Sequence, residues 1–185
     1  MDDWIKSGKI AAEVREYSKT LIKPGEKIID IANKIETKIK ELGAIPGFPV
    51  NISMNEIAAH YAPIPNDEII LDNQIIKIDI GTSYNGAIGD TAYTIDLSNK
   101  YSELVKASRE ALNNVIKILQ IGVSLGEIGK TIQETIQSYG YSPIKNLSGH
   151  GLGLFSVYMP PSIPNYNTND NTELKKGQTI AIEPF

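Results

Sequence analysis

Hydrophobic positions along this chain fall into a pattern that occurs twice. Residues Gly25 to Gly43 (GEKIIDIANKIETKIKELG) place isoleucine at 31, 35 and 39, with polar and charged residues between. Apolar positions recurring every three or four residues describe one face of an α-helix, and a glycine just past the last is a common stop signal. Residues Gly122 to Gly140 (GVSLGEIGKTIQETIQSYG) align with this segment without gaps, 97 positions later. Gly25 and Gly122, Ile31 and Ile128, Ile35 and Ile132, Ile39 and Ile136, and Gly43 and Gly140 coincide. Ile28 meets Leu125 and Asp30 meets Glu127, and the second copy opens with the capping box Ser124-Leu-Gly-Glu127. A further helical pattern precedes each copy, over roughly 3–20 and 101–120, the latter carried by Leu104, Ala107, Ala111, Leu112, Val115 and Leu119.

The period changes from helical to alternating in KIDIGTSYNGAIGDTAYTIDL (77–97). Strand-like flanks surround Asn85-Gly86, the preferred dipeptide of a two-residue type I′ hairpin turn. With that turn, Asp79 faces Ala92 and Asp90 faces Gly81, so both carboxylates share one face of the ladder. Diagonal neighbours of this kind lie about 7–8 Å apart at the backbone, and less at the side chains. Two-metal hydrolases hold their ions about 3.5–4 Å apart, within reach of such a pair. Two solvated acids flanking a turn is the plainer alternative.

Helix, helix, strand, hairpin, used twice, predicts a duplicated α+β architecture with sheets inside and paired helices outside, and a site in a cleft between halves. The second hairpin should span about 172–194. Glu173 to Gly177 resembles a turn, Gln178 to Glu183 alternates like a strand, and the sequence stops at Phe185. On this logic the second half is incomplete, and the chain reads as a fragment or a truncated form lacking a returning strand.

Composition narrows the chemistry. The 185 residues carry a net charge of −4 with no basic run, so direct nucleic-acid binding is not expected. No apolar stretch approaches the roughly 18 residues of a membrane span and no signal peptide opens the chain, so a cytoplasmic location is expected. Abundant isoleucine and lysine suit a thermophile. There is no cysteine, so any metal must be held by oxygen and imidazole. Only His60 and His150 are available for the latter.

His150 sits in Ser148-Gly-His-Gly-Leu-Gly153, where glycines would let a metal or substrate approach closely; a phosphate loop is disfavoured because no strand-to-helix junction follows. Glu183 ends the last strand-like segment, just before Pro184. His60 follows Glu56 by four positions, which on a short helix would make an ordinary surface pair. The spacing is not HExxH, which excludes that class of zinc peptidase.

Asp79, Asp90, His150 and Glu183, with FPVNISMNEIAAHY (48–61), GDTA (89–92), LSGHG (147–151), SIPN (162–165) and IAIEPF (180–185), resemble the pita-bread metallopeptidases. Within them the resemblance is greatest to methionine aminopeptidases of the archaeal and eukaryotic (type II) kind, and it covers nearly the whole chain in order. It implies an α+β pseudo-two-fold pita-bread (creatinase/aminopeptidase) fold, a curved antiparallel sheet with outer helices, its second half incomplete here. The whole of 1–185 would form one catalytic domain, with repeats at about 1–97 and 98–185.

The resemblance assigns Asp79, Asp90, His150 and Glu183 as ligands of two divalent metal ions (Co, Mn, Fe or Zn), with Glu183 also the proton shuttle. It places His60 beside the cleaved bond as a catalytic and substrate-binding histidine, and Phe48 in the methionine pocket. A fifth ligand, a glutamate on the returning strand, is implied and absent. Tyr158 stands eight positions after His150, where this type usually carries a histidine that steadies the scissile carbonyl. A phenol can donate a hydrogen bond there but cannot become a cation near neutral pH. The implied activity is removal of N-terminal methionine from peptides and nascent chains, close to ribosomes and away from membranes, by water activated on the two ions. The alternatives are a proline dipeptidase, which shares the ligands but usually carries an extra N-terminal domain, and a non-catalytic pita-bread protein that binds ribosomes or other partners.

Overall fold

In the computed structural model, which describes residues 1–185, both copies of the isoleucine pattern are helices of the same extent. Helix α2 spans Ile28–Glu41 and α4 spans Leu125–Ser138, 14 residues each. Ile28, Ile31, Ile35 and Ile39 of α2 are buried, as are Leu125, Ile128, Ile132 and Ile136 of α4. Gly43 and Gly140 both adopt φ +82° two residues past their helix ends, which is why each helix stops at a glycine. Ser124 caps α4 by accepting from the Glu127 amide, whereas Lys27 at the matching position of α2 has no side-chain cap. Helices α1 (Asp2–Lys19) and α3 (Ser102–Ile118) precede the two copies.

The chain divides into two compact units, one of Met1–Tyr101 with Gly153–Val157, the other of Ser102–Leu152 with Tyr158–Phe185. In the first, β3 (Ile75–Tyr84) pairs along its length with β4 (Ala87–Asp96), and its other edge takes β1 (Ile45–Pro46) and β2 (Asn51–Met54), all antiparallel. Ile76, Ile78 and Ile80 of β3 join Ile52 and the buried face of α2 in one core. Helix α1 docks on β3 and β4 through buried Ser7, whose hydroxyl lies 2.9 Å from that of Thr82. Gly89 permits the approach, since a Cβ there would stand 2.7 Å from the Ser7 carbonyl oxygen. Phe155 caps the β3–β4 turn within this unit, donating its amide to the Gly86 carbonyl at 2.8 Å.

In the second unit, α3 packs on α4, and Ala111, Val115, Ile128, Ile132 and Ile163 lie in a core of their own. A three-stranded sheet runs in the order β6 (Ser156–Pro164), β5 (Ser148–Gly153), β7 (Thr179–Ala181). The entry to α4 repeats that of α2: Gly25 N–H donates to the Leu71 carbonyl at 2.7 Å, and Gly122 N–H to the Leu174 carbonyl at 2.9 Å. Strand β7 is shorter than the alternation over 178–183 predicts. It ends at Ala181 because Pro184 has no amide to donate and restricts Glu183 before it. Instead the Ser108 hydroxyl holds the Pro184 carbonyl at 2.8 Å, and the Ile144 amide holds that of Phe185 at 3.0 Å. No helix is long and apolar enough to cross a membrane.

Candidate functional site

The first unit presents the two aspartates on the hairpin the sequence specifies. Asn85 (φ +50°) and Gly86 (φ +86°) are both left-handed, as a type I′ turn requires. The register places Asp79 opposite Ala92 and Asp90 opposite Gly81. Successive side chains of a strand alternate faces, so Asp79, Gly81 and Asp90 share one face. Both carboxylates are half-buried.

Phe48 lies on the loop that carries the chain from β1 to β2. Pro46 opposes Thr82, Gly47 donates its amide to the Gly81 carbonyl at 2.9 Å, and Asn51 opposes Asp79. The loop therefore bulges from the edge of β3 beside Gly81, and the Phe48 ring rests where a Gly81 side chain would begin. Sequence reasoning passed over Gly81. A glycine inside a strand marks a close approach by something else, and that was the available signal.

His60 is not on a helix. Residues 55–60 are irregular, with Asn55 at φ +52° and His60 at +65°, and the His60 side chain is exposed. The cause is tertiary: Ile52 donates its amide to the Tyr61 carbonyl at 2.7 Å, and Tyr61 donates its own to the Ser53 hydroxyl at 3.2 Å. These bonds draw the segment back along β2 and rule out the surface pair with Glu56 on a helix.

In the second unit, β5 carries His150 into a buried position, 9% exposed and opposite Ala181. Its Nδ1 lies 3.0 Å from the Gly151 carbonyl oxygen and its Nε2 lies 3.0 Å from Glu183 Oε1. A carbonyl can only accept, so Nδ1 carries a proton. A bare Nε2 and a carboxylate oxygen both present lone pairs, so a proton or a cation belongs between them. The glycines beside His150 serve strand packing rather than the approach of a ligand. A Cβ at Gly149 would meet the Ala181 carbonyl oxygen at 2.4 Å, and one at Gly151 the Pro160 carbonyl oxygen at 2.2 Å. The Tyr158 ring on β6 stands edge-on to the imidazole, with centroids 4.7 Å apart, and is 67% exposed.

Asp79 and Glu183 hold equivalent places in the two copies. Asp79 opposes Asn51, and Ser148 is the residue 97 positions after Asn51. Continuing the β5–β7 register two residues beyond Ala181 sets Glu183 opposite Ser148.

Residues 4–185 match metallopeptidase family M24. The chain belongs to that family. A methionine aminopeptidase of Methanocaldococcus jannaschii is 50% identical over 98% of this chain and 62% of its own length. The methionine aminopeptidase of Thermotoga maritima superposes with a TM-score of 0.87 at 34% identity, over 97% of this chain and 76% of that one. The prolidase of Pyrococcus furiosus superposes at 0.85 with 28% identity, over 99% of this chain and 55% of that one. This M24 chain thus spans about 62% of the length of the first curated relatives it matches. Its fold is the α+β pita-bread fold of these peptidases, as the duplicated pattern and the motif series led one to expect. The family is one of metal-dependent peptidases, which makes divalent cations the expected companions of its carboxylates and imidazole.

Proposed function

We propose that this M24 chain acts as a methionyl aminopeptidase, removing the N-terminal methionine from peptides and nascent chains. The observation that carries the reading is the buried imidazole of His150 set 3.0 Å from the Glu183 carboxylate with its other nitrogen already donating. That contact calls for a proton or a metal cation between the two atoms. The two half-buried aspartates on one hairpin face support it, and the substrate follows from the relatives: methionine aminopeptidases reach 50% identity where the prolidase of known structure stands at 28%.

The donors present fit a pair of divalent ions. Asp79, Asp90 and Glu183 offer hard carboxylate oxygens whose charges offset most of that of two dications, and His150 adds an imidazole. Without thiolates the set suits Mn, Fe, Co or Zn. Those four residues would hold the ions, which supply Lewis-acid polarisation of the scissile carbonyl when bound.

The chain's own groups supply the rest. The Glu183 carboxylate takes a proton from the attacking water and delivers it to the leaving amine as the C–N bond breaks. Phe48 lines the pocket for the methionine side chain, where a methylene-sized difference is worth about 1–3 kcal/mol. His60, exposed on its irregular loop, faces the peptide near the cleaved bond. The Tyr158 hydroxyl donates to the scissile carbonyl in place of a histidine.

Calorimetric titration of the metal-stripped protein with Mn(II) or Co(II), followed by a Met-Ala-Ser cleavage assay, tests the reading. Two binding sites and turnover that Asp90→Asn abolishes without altering the far-UV CD spectrum are expected. Undiminished turnover by Asp90→Asn overturns the assignment. Cleavage of Xaa-Pro dipeptides but not of Met-Ala-Ser replaces it with a proline dipeptidase.

A further inference from the structure

Gly81 sits in the interior of β3, in ordinary extended backbone rather than the left-handed region that favours glycine. The backbone conformation therefore does not ask for a glycine, which inside a strand is less favourable than alanine. What asks for it is Phe48. A Cβ built on Gly81 would stand 2.4 Å from Cδ1 and Cε1 of the Phe48 ring and 2.9 Å from Cζ.

The backbone that carries the ring is held on both sides. On one side of Phe48, Gly47 donates to the Gly81 carbonyl and Pro46 pairs with Thr82. On the other, Pro49 has a fixed φ, the buried Val50 donates its amide to Glu36 at 3.4 Å, and Asn51 pairs with Asp79. An added Cβ would therefore turn the ring out of its seat about its own side-chain bonds rather than shift the loop.

The position of the seat gives it a function. Gly81 is the direct cross-strand partner of Asp90 and lies two residues from Asp79 on the same face. Directly opposed Cβ positions are about 4.5–5.5 Å apart, so ring atoms 2.4 Å from the Gly81 Cβ position lie beside Asp90. The aromatic surface is thereby an immediate neighbour of the carboxylate pair. A peptide whose α-amine is drawn to those carboxylates presents its first side chain, one bond from the amine-bearing carbon, to that surface.

We infer that Gly81 is a specificity-determining residue: its missing side chain seats the Phe48 ring beside Asp79 and Asp90, which selects peptides whose first residue is large and apolar. The assignment rests on the aminopeptidase reading for its substrate class, and on geometry alone for the seat.

The test is a double-mutant cycle in the full chain with Gly81→Ala, Phe48→Ala and the two combined. Thermal midpoints without added metal read the seat, and Mn(II)-loaded kinetics on Met-Ala-Ser and Ala-Ala-Ser read selectivity. Gly81→Ala is expected to lower the midpoint, and Phe48→Ala in that background to restore it to that of Phe48→Ala alone. For the soluble Gly81→Ala protein, KM for Met-Ala-Ser should rise about tenfold or more, with kcat, Mn(II) affinity and KM for Ala-Ala-Ser little changed. The double variant should select no worse than Phe48→Ala alone. Additive losses across the cycle, or a Gly81→Ala protein with the parental midpoint and selectivity, overturn the inference. Absence of Met-Ala-Ser turnover by the parent protein overturns the aminopeptidase reading instead, while the midpoints still decide whether Gly81 seats the ring.

Discussion

His150 Nε2 lies 3.0 Å from Glu183 Oε1 although Glu183 belongs to no strand. The short β7 brings Ala181 opposite His150, and two further residues are enough to return a carboxylate to the imidazole. The Gly151 carbonyl fixes the ring from its other side. Both partners are thus aimed at one point, a condition for tight metal coordination.

Glu183→Gln keeps the shape of this contact and removes its charge. Loss of even an outer partner of a metal ligand costs roughly 10–100-fold in affinity, so Glu183→Gln should weaken Mn(II) binding by at least that much. Titration calorimetry checks it, and an unchanged affinity removes Glu183 from the ligand set.

Tyr93 makes stability depend on alkaline pH. Burial pushes its phenol up to about 12, with Glu16 adding to the rise and Ser18 and Arg15 opposing it. The Ser18 hydroxyl donates to the Arg15 carbonyl at 2.8 Å, so it is the Tyr93 hydroxyl that donates to Ser18, also at 2.8 Å. An unfolded tyrosine titrates near pH 10, so between about pH 10 and 12 the folded chain keeps a proton the unfolded chain has lost. The associated stability is complete below about pH 10 and falls by roughly 2–3 kcal/mol as pH rises to 12. Urea unfolding across that range should show the fall, and Tyr93→Phe should flatten it.

Two glycines should respond to alanine with opposite signs. Gly8, within α1, has nothing within 4 Å of an added Cβ, so Gly8→Ala should stabilise the chain by about 0.5–1 kcal/mol. Gly129, within α4, would drive a Cβ to 2.2 Å from the Tyr166 carbonyl oxygen. Gly129→Ala should cost about 1–3 kcal/mol, since backbone rather than a flexible side chain must yield. Thermal melts of the two variants distinguish the cases.

Lys27→Ser should stabilise α2. Lys27 has φ −78° and ψ 134°, close to the −82° and 152° of Ser124, and Asp30 occupies the place of Glu127. A serine there would accept from the Asp30 amide and contribute about 1 kcal/mol, raising the midpoint by a few degrees. No rise would mean that the two helix entries are less alike than their dihedrals.

What was legible in the sequence was whatever local chemistry decides. Asn85-Gly86 fixes the hairpin register and with it the shared face of Asp79 and Asp90, because two adjacent residues there must adopt positive φ. The isoleucine spacing and terminal glycines mark α2 and α4 for the same reason. A helix at Glu56–His60 is not formed because the conformation of His60 is set by Ser53 and Ile52 on a neighbouring strand, which no local pattern encodes. The glycines around His150 suggested access for a ligand, yet neighbouring carbonyl oxygens fill that space. The Phe48 seat was hidden for a related reason: a residue without a side chain declares only that something is near, and the fold must say what.

The repeated entry to α2 and α4 bears on how the chain reaches this structure. Each helix docks by a glycine amide on a leucine carbonyl, Gly25 on Leu71 and Gly122 on Leu174, and each buries the same spacing of branched side chains. A fully extended polypeptide therefore offers either helix two berths of similar chemistry, and a crossed pairing would be a trap of the kind that slows larger proteins. Synthesis from the N terminus removes the ambiguity, because α2 can occupy its own berth before Leu174 has been made. Dilution from denaturant offers both at once.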